Sequence, residues 1–480
     1  MAVSFEIESV KAALEEQTKI LNEVQNSKAY KTVEGYHYLK NQKGKDKIRN
    51  VGRVLAHIQG DEDERIRIQD PMDALLKSQR DIEHQIDFVG SKLEEYTEYV
   101  QVLREIWEAK RKRGAICIFA PYEEIDMPDG YSRRVKNVDG ILGDNMMRVY
   151  IAKIVGANGP IPMCSIKSKG YISIRYDASN YDHCLLVSMV AHLVGIAYIH
   201  SVYQAISFVA EDKEVIKIYD FHGVVSEELL LMGREEEAHY YDMQEAKLVK
   251  NTDYIITANQ AMKDHIISKY PECNAEFILM PMNNDDNNLD LKLQEEIGKV
   301  TSDVCGGKKP VVIYSGGLQK WQLISEMQDA ICKEKDKCEF HLYVSDPDEF
   351  MKLWGDREVP KEWEVSTKTS EELKEAYKSA QYGFVLRDDI IVNNVACPTK
   401  MIDYIKYDIV PIMKSPCVGD FARYGMEYLP INDFLENRFP SEEDRLEMCR
   451  KNKLIIDKLL EEYREGKNRV KQIINTKCYK

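Results

Sequence analysis

The sequence predicts an α/β protein built from two tandem Rossmann-like domains, with a helical extension before them and a helical tail after them. Three observations lead there. From Ala115 onward, short apolar runs alternate with helical patterns, which marks a mostly parallel sheet covered on both faces. A polar break, MNNDDNNLD (282–290), divides that alternation into two series. Residues 1–112 lack the alternation and carry only charged helical patterns. A chain of 480 residues is also too long for a single core, since domains run roughly 100–200 residues.

The extension (1–112) carries two apolar stripes at helical spacing. The first is Ile7, Val10, Leu14, Leu21 and Val24. The second is Leu75, Ile82, Ile86, Val89, Leu93, Tyr96, Val100, Leu103 and Trp107. From Ile82 its steps alternate four and three, a heptad seam of coiled-coil type. Helices this polar need a partner for such a stripe. The partner is the first helix in an intramolecular hairpin, one of the later domains, or a second copy of the chain in a homo-oligomer formed through residues 72–107.

The first domain (113–290) has strand candidates AICIF (115–119), MRVYI (147–151), YISIRY (171–176), IAYIH (196–200), VIKIY (215–219), YIIT (254–257) and FILM (277–280). Helical patterns at 183–195, 226–232, 235–250 and 259–269 separate them. The second domain (291–440) opens on VVIYSGG (311–317) and continues through EFHLYV (339–344), WEV (363–365), YGFVLR (382–387) and IVPIM (409–413). Its helices are expected near 320–335, 370–380 and 399–406, and the tail (441–480) is helical over 441–475.

Composition narrows the function classes. The hydrophobic share of 44% and charged share of 31% are those of a soluble globular protein. The formal net charge of -15 argues against a nucleic-acid partner, which needs a basic face. Eleven cysteines, an odd number with no CxxC pair, read as reduced thiols in a cytoplasmic protein without a zinc site. MAVSFEIESVKAALEEQ has neither a basic start nor an apolar stretch, so it is no secretory signal. The longest apolar runs fall short of the ~20 residues a spanning helix needs, so any membrane contact would be peripheral.

In parallel sheets, ligands bind beyond the carboxyl ends of the strands, and the candidate residues cluster at such ends. Gly316 and Gly317 follow the strand VVIY and let backbone approach a ligand, with a helix expected to start near Lys320. The plain alternative is a strand–turn–helix with no ligand. GFVLRDDIIVNNVACPTKMIDY (383–404) delivers Arg387 at a strand end, then opens a helix at Pro398-Thr399-Lys400. A lysine in a first helical turn opposes the helix dipole, and a nearby anion would repair that. Asp403 follows on the same helix, placed for sugar hydroxyls; the alternative is a surface lysine and a surface aspartate. In the first domain, Asp220 and His222 follow the strand VIKIY and share a side by alternation, Glu227 and Glu228 open the next helix, and His200 closes IAYIH. Either histidine could instead be a satisfied structural group. PDGYSRRV (128–135) is a Gly-containing loop entering a helix with Arg133 and Arg134, fit for an anionic or sugar acceptor or simply a basic helix start. Two acidic patterns suit a metal less well. Asn283, Asp285 and Asn287 lack the glycine and closing glutamate of a calcium loop, and Asp346-Pro347-Asp348 fits a simple turn.

Together these segments resemble the GT-B glycosyltransferases of family 4, the retaining, nucleotide-sugar-dependent group, over residues 115 to about 435 and the tail. IFAPYEEIDMPDGYSRRV resembles the first strand and acceptor loop of that family, IYDFHGVVSEE its strand–His segment, and VVIYSGGLQKWQ the opening of its donor domain. GFVLRDDIIVNNVACPTKMIDYIKYDIVPI is similar to the donor motif of a bacterial subset with Pro-Thr-Lys before an acidic-Tyr pair. The resemblance implies two domains facing across a cleft. It implies His222, with Asp220, at the reacting sugar; Gly316, Gly317, Lys320, Arg387, Asn394, Lys400 and Asp403 on the donor; and Gly130, Arg134 and His200 on the acceptor. The motif departs from the family at Val395, where the broad pattern has a glutamate eight positions before the second acid; Asn394 is the adjacent polar residue.

The function so implied is sugar transfer from a nucleotide-sugar to a polysaccharide, glycolipid or other lipid-linked cell-surface precursor, with retention and no metal or other cofactor. It would take place in the cytoplasm, at the inner face of the membrane if membrane-associated. Two alternatives stand beside it: a catalytically silent partner subunit, which the departure at Val395 would suit, and a GT-B nucleotide-sugar epimerase.

Overall fold

The computed structural model describes residues 19–20, 22–24, 26–40, 50–59, 97–121, 130–143, 146–156, 162–167, 171–282 and 309–478. The chain divides into two compact units, Met1–Glu105 and Ile106–Lys480. Most of both apolar stripes, including the seam from Leu75 to Tyr96, lies outside the described residues, as does the 283–287 polar run.

Within the first unit, helices α1 (Lys28–Lys40) and α2 (Val51–Gln59) pack against each other. Gly35 permits the approach: a Cβ there would lie 2.4 Å from Val54 Cγ1. Helix α3 (Thr97–Arg113) ends inside the second unit, where Lys110 Nζ donates to Leu193 O at 2.7 Å.

The second unit holds two sheets. The first contains β1 (Ala115–Phe119), β2 (Met147–Ile154), β3 (Met163–Lys167), β4 (Tyr171–Asp177), β5 (Ile196–His200), β6 (Ile216–Asp220), β7 (Tyr254–Thr257) and β8 (Glu276–Leu279), in spatial order β3-β4-β2-β1-β5-β6-β7-β8. All pairs are parallel except β3 with β4. Its helices are α4 (Gly130–Asp139), α5 (Tyr181–Val194), α6 (Ser207–Glu211), α7 (Val225–Leu231), α8 (Glu235–Asn251) and α9 (Gln260–Lys269). The runs read as strands are strands because they are β-branched, apolar and buried on both faces; every residue of β1 and β5 is buried. The edge strand β3 is not evident in the sequence, because MCSIK is short, follows Gly-Pro-Ile-Pro and has a single β-branched residue.

The second sheet contains β9 (Val311–Gly316), β10 (Glu339–Val344), β11 (Trp363–Ser366), β12 (Tyr382–Val385), β13 (Val410–Met413) and β14 (Leu429–Pro430), wholly parallel in the order β11-β10-β9-β12-β13-β14. Its helices are α10 (Ile324–Glu334), α11 (Pro347–Trp354), α12 (Ser370–Tyr377), α13 (Ile391–Asn394), α14 (Thr399–Lys406) and α15 (Ile431–Leu435). The helix expected near Lys320 begins instead at Ile324, after one 3-10 turn at Lys320–Gln322, because Leu323 sits at φ +49° and interrupts it. Asp346 caps α11 by accepting from Glu349 N at 2.9 Å, with Pro347 in the first turn, so the Asp-Pro-Asp run is a helix start.

Helix α16 (Glu442–Cys478) crosses back from the second sheet to the first. At its start Arg445 donates to Asp408 O at 3.0 Å; near its end Arg469 pairs with Glu276 of β8 at 2.6 and 2.7 Å. The two domains also meet directly. Asp420 accepts from the first-turn amides of Gln260 and Ala261 at 2.7 and 3.1 Å, and Asn259 Nδ2 donates to Val395 O at 3.0 Å. Among the described residues no helix is long and apolar enough to cross a membrane. None of the cysteines whose side chains are described is in a disulfide.

The seat of α16 on β8 is close. A Cβ on Gly466 would lie 2.3 Å from the Leu279 carbonyl oxygen, a backbone atom that cannot swing aside. Gly466→Ala is therefore expected to lower stability by about 1–3 kcal/mol, as over-packing does; thermal unfolding of the full chain measures it.

Candidate functional site

Both sheets reverse their winding at one place. In the first, β1 is flanked by β2 and β5; in the second, β9 is flanked by β10 and β12. Such switch points open a crevice at the carboxyl ends of the strands, and in this fold the two crevices form one cleft of about 360 Å³. Tyr131, His222 and Glu228 line it from the first domain, and Trp321, Gln322 and Arg387 from the second.

The first wall is built on a buried ion pair. Asp220 ends β6 with no exposed surface, and Arg134 reaches it from α4 with a two-pronged contact, Nε to Oδ2 at 2.8 Å and Nη2 to Oδ1 at 3.0 Å. The remaining prong, Nη1, donates to Met280 O at 2.7 Å, and Tyr198 Oη donates to Asp220 Oδ2 at 2.8 Å. Burial alone would raise the Asp220 carboxyl; Arg134, helped by His222 and His200, outweighs it and holds the group below its usual range. Beside this pair, His200 Nδ1 and His222 Nε2 lie 2.9 Å apart, each 3.7 Å from Asp220 Oδ2. The Tyr131 ring packs on His222 at 4.7 Å between centroids. His200, Asp220 and His222 are metal-ligand types whose donor atoms lie within 4.8 Å of one another. However, both Asp220 oxygens already accept from Arg134, whose fixed charge opposes a cation there.

The second wall has the opposite character. Arg387 ends the run after β12 and is 5% exposed; Lys400 lies in the first turn of α14 and is 8% exposed. Arg387 Nη1 donates to Asn393 Oδ1 at 3.0 Å, and Lys400 Nζ donates to Gln322 Oε1 at 3.0 Å and sits 4.0 Å from the Tyr314 ring centroid. Neither is in an ion pair with a carboxylate among the described residues. Burial drives the Lys400 ammonium well below its usual range, and Arg387 adds to the effect. Burial lowers Arg387 to about 10 against the pull of Tyr314 and Glu228. Glu228 faces Arg387 from across the cleft, and burial, with Glu227, raises its carboxyl. Gly316 makes room for Lys400: its φ is +146°, and a Cβ there would lie 2.8 Å from Lys400 Nζ.

Of the residues singled out from sequence, Gly130, Arg134, His222 and Arg387 line the cleft. Lys400 joins it through Gln322 and abuts Gly316. Asp220 and His200 lie directly behind His222 and are fully buried, so His200 and Arg134, expected on an acceptor, are turned to Asp220 instead. Gly317 accepts from Tyr314 Oη and is not on the lining. Lys320 Nζ donates to Leu231 O at 2.9 Å at an exposed edge, Asn394 bonds Asp389 at 2.7 Å, and Asp403 is half-buried near Tyr377; none of these three is on the lining. The sequence reading passed over Tyr131, Trp321 and Gln322 and noted Glu228 only as a helix start. One local signal existed for Glu228: Gly223, five residues before it, where a Cβ would lie 2.3 Å from Glu228 Oε1.

No family model matches the chain, and no curated protein matches it in sequence. Solved structures do show likeness. A sucrose-phosphate synthase from Thermosynechococcus elongatus is 13% identical with a TM-score of 0.44, covering 76% of this chain and 95% of that one. An α,α-trehalose-phosphate synthase (UDP-forming) from Burkholderia vietnamiensis is 9% identical with a TM-score of 0.49, covering 76% and 100%. A trehalose-6-phosphate protein from E. coli bound with UDP-2-fluoro glucose is 10% identical with a TM-score of 0.48, covering 75% and 98%. At these identities and scores the likeness assigns no function to this chain.

Two stability outcomes follow from the walls. Arg134→Met strands the Asp220 carboxylate in the core and is expected to cost about 3–5 kcal/mol near neutral pH. Because the folded Asp220 titrates below its unfolded value near 3.9, the pair stabilises fully above that pH and loses its contribution as pH falls through the folded value. The wild-type advantage over Arg134→Met in denaturant melts should therefore shrink on acidification. Lys400 has the reverse sign. Its folded value is depressed, so its penalty grows as pH falls below about 10.4. Lys400→Met is expected to stabilise the empty protein by on the order of 1 kcal/mol at neutral pH, with the gain fading in melts at high pH.

Proposed function

We propose that this chain is a glycosyltransferase of GT-B type that uses a nucleotide-sugar donor. The observation that carries the reading is the second wall: two buried cations, Arg387 and Lys400, converge without a carboxylate partner at a switch point, where a diphosphate would neutralise both. Buried charge without a partner is costly, and such perturbed groups cluster at functional sites, where a ligand completes them.

In this reading the diphosphate lies against Arg387, Lys400 and the start of α14, which stabilise the negative charge that develops as the sugar–phosphate bond breaks. Gly316 and Gly317 allow backbone approach, and Asp403 and Asn394 serve the ribose and sugar side of the donor. The transferred sugar reaches toward His222, with Asp220 behind it and Glu228 beside it. Gly130 stands where the acceptor enters; Arg134 and His200 serve that side by shaping it from behind. No metal is needed for charge stabilisation, and the Asp346 carboxylate is spent on the α11 cap. The family resemblance of the motifs supports retention of configuration. It also supports a polysaccharide or lipid-linked acceptor, in the cytoplasm or at the inner membrane face. Closure of the two domains would exclude water from the activated sugar. Val395, on the cleft lining where the family pattern has an acid, favours as a second reading a subunit that binds the donor without turning it over.

Incubation with a panel of UDP-, GDP-, TDP- and CMP-sugars, monitored by nucleotide release and thermal shift, tests this. At least one donor is expected to raise the melting temperature and release nucleotide. Arg387→Ala and Lys400→Met should each weaken that donor by about 1.5–3 kcal/mol, roughly 10–150-fold. No thermal shift with any donor sinks the reading; a shift without release supports the silent subunit.

A further inference from the structure

Glu227 and Glu228 sit side by side in the first turn of α7, and the fold gives them opposite tasks. Glu227 is already committed. It accepts from Ser226 Oγ at 2.8 Å, lies 3.1 Å from His265 Nε2 and pairs with Lys269 Nζ at 2.9 Å. Against burial, these contacts hold its carboxyl down to about 2. Glu228 keeps most of its capacity. A carboxylate has about four acceptor sites, and among the described residues the Glu228 side chain takes only the backbone amide of Val224.

A glycine places this carboxyl at the cleft. Gly223 and Glu228 both line it. Glu228 Oε1 fills the space beside Gly223 that a side chain would need: a Cβ there would lie 2.3 Å from Oε1 and 3.4 Å from Cδ. Among the described residues that line the cleft, Glu228 is the one carboxylate. The other acid of the first wall, Asp220, lies behind the surface and is paired with Arg134. The second wall contributes Arg387, neutral polar groups such as Gln319 and Gln322, and the Trp321 ring to the lining. The unbalanced charges of the cleft are therefore opposite in sign and on opposite walls, Arg387 with Lys400 on one and Glu228 on the other.

That arrangement selects among ligands. Arg387 and Lys400 attract an anion, and Glu228 repels a second one at the far end. Its open acceptor sites are matched by hydroxyl groups. A ligand whose far end carries a carboxylate would leave those sites unmet and bring two like charges together, so the discrimination comes from repulsion as well as attraction.

We propose that Glu228 is a specificity-determining residue whose carboxylate accepts from hydroxyls at the sugar end of the donor, selecting uncharged sugars over acidic ones. The proposal rests on the glycosyltransferase reading and narrows its donor class to nucleoside diphosphates of neutral sugars.

Isothermal titration of the full-length protein at about pH 8, where ordinary carboxylates are ionised, tests it. With whichever nucleotide the protein selects, the neutral sugar nucleotide is compared with its C6-oxidised counterpart, for example UDP-glucose with UDP-glucuronate. Wild type is expected to prefer the neutral member at least ~10-fold. Glu228→Gln should bind the neutral donor about 10-fold more weakly and lose the preference. Pyrophosphate, which has no sugar, should bind Glu228→Gln about 3-fold more tightly than wild type, because a repelling charge is gone. A merely structural role for Glu228 would not move the two ligands in opposite directions. Gly223→Ala displaces the carboxyl without removing it. It should also lose the preference, and in the double variant it should add little to Glu228→Gln. A wild-type preference for the acidic sugar, an unchanged preference in Glu228→Gln, a fall in its pyrophosphate affinity, or full additivity in the double variant overturns the proposal and leaves the glycosyltransferase reading in place. Absence of binding by every sugar nucleotide overturns both.

Discussion

The bond between Arg134 and Asp220 is the constraint on which the first wall of the cleft depends. A buried ion pair is favourable only when its hydrogen-bonding capacity is filled, and this one is: the guanidinium fork takes both carboxylate oxygens, its third arm takes Met280 O, and Tyr198 adds a fourth contact. It joins α4, which follows β1, to the ends of β6 and β8. Through α4 it sets Tyr131 against His222, and through Asp220 it supplies the negative field in which the histidine pair is polarised. Position and electrostatics of the wall thus share one cause.

The facing wall is organised by a deficit. Arg387 and Lys400 are buried like Arg134, though slightly less so, yet no carboxylate pairs with them among the described residues; Gln322, Asn393 and the Tyr314 ring accommodate the charge without cancelling it. The cleft is therefore polar from side to side, with a self-compensated wall beside an electropositive one. A ligand with an anionic end and a neutral end has one preferred direction in it, anion toward the second domain. Such a deficit lowers stability and is retained where function requires it.

The domains are held at this cleft by contacts that combine capping with docking. Asn259 caps α9 through Oδ1 to Met262 N at 2.8 Å while its Nδ2 reaches across to Val395 and Ala396. Asp420 approaches the same helix end from the second domain. Gly419 lets its loop close on the Val395–Ala396 segment beside Asn259, since a Cβ there would lie 2.2 Å from Ala396 O and 3.0 Å from Asn259 Nδ2. Helix α16 adds a second tie at the far edge of the first sheet.

Local patterning determined much of this protein by itself. Apolar runs such as AICIF, IAYIH and YIIT became strands because continuous apolar character and β-branching between turn signals are local properties that need no partner to be read. The convergence of Arg387 and Lys400 was legible for the same reason: one strand end and the following helix start place them side by side. Tertiary structure alone decided what charged side chains in the first domain do. Arg134 reads locally as a basic helix start open to a ligand, but its partner is 86 residues away, and only the order of β1 beside β5 and β6 brings them together. His200 and His222 likewise look like two independent strand-end histidines until register sets them 2.9 Å apart. Conversely Lys320, Asn394 and Asp403 sit in motif-like positions, yet the φ of +49° at Leu323 and the side on which each helix is buried direct them away from the lining. Sequence spacing specifies which end of a sheet a residue occupies; which charge finds a partner depends on contacts between segments far apart in the chain.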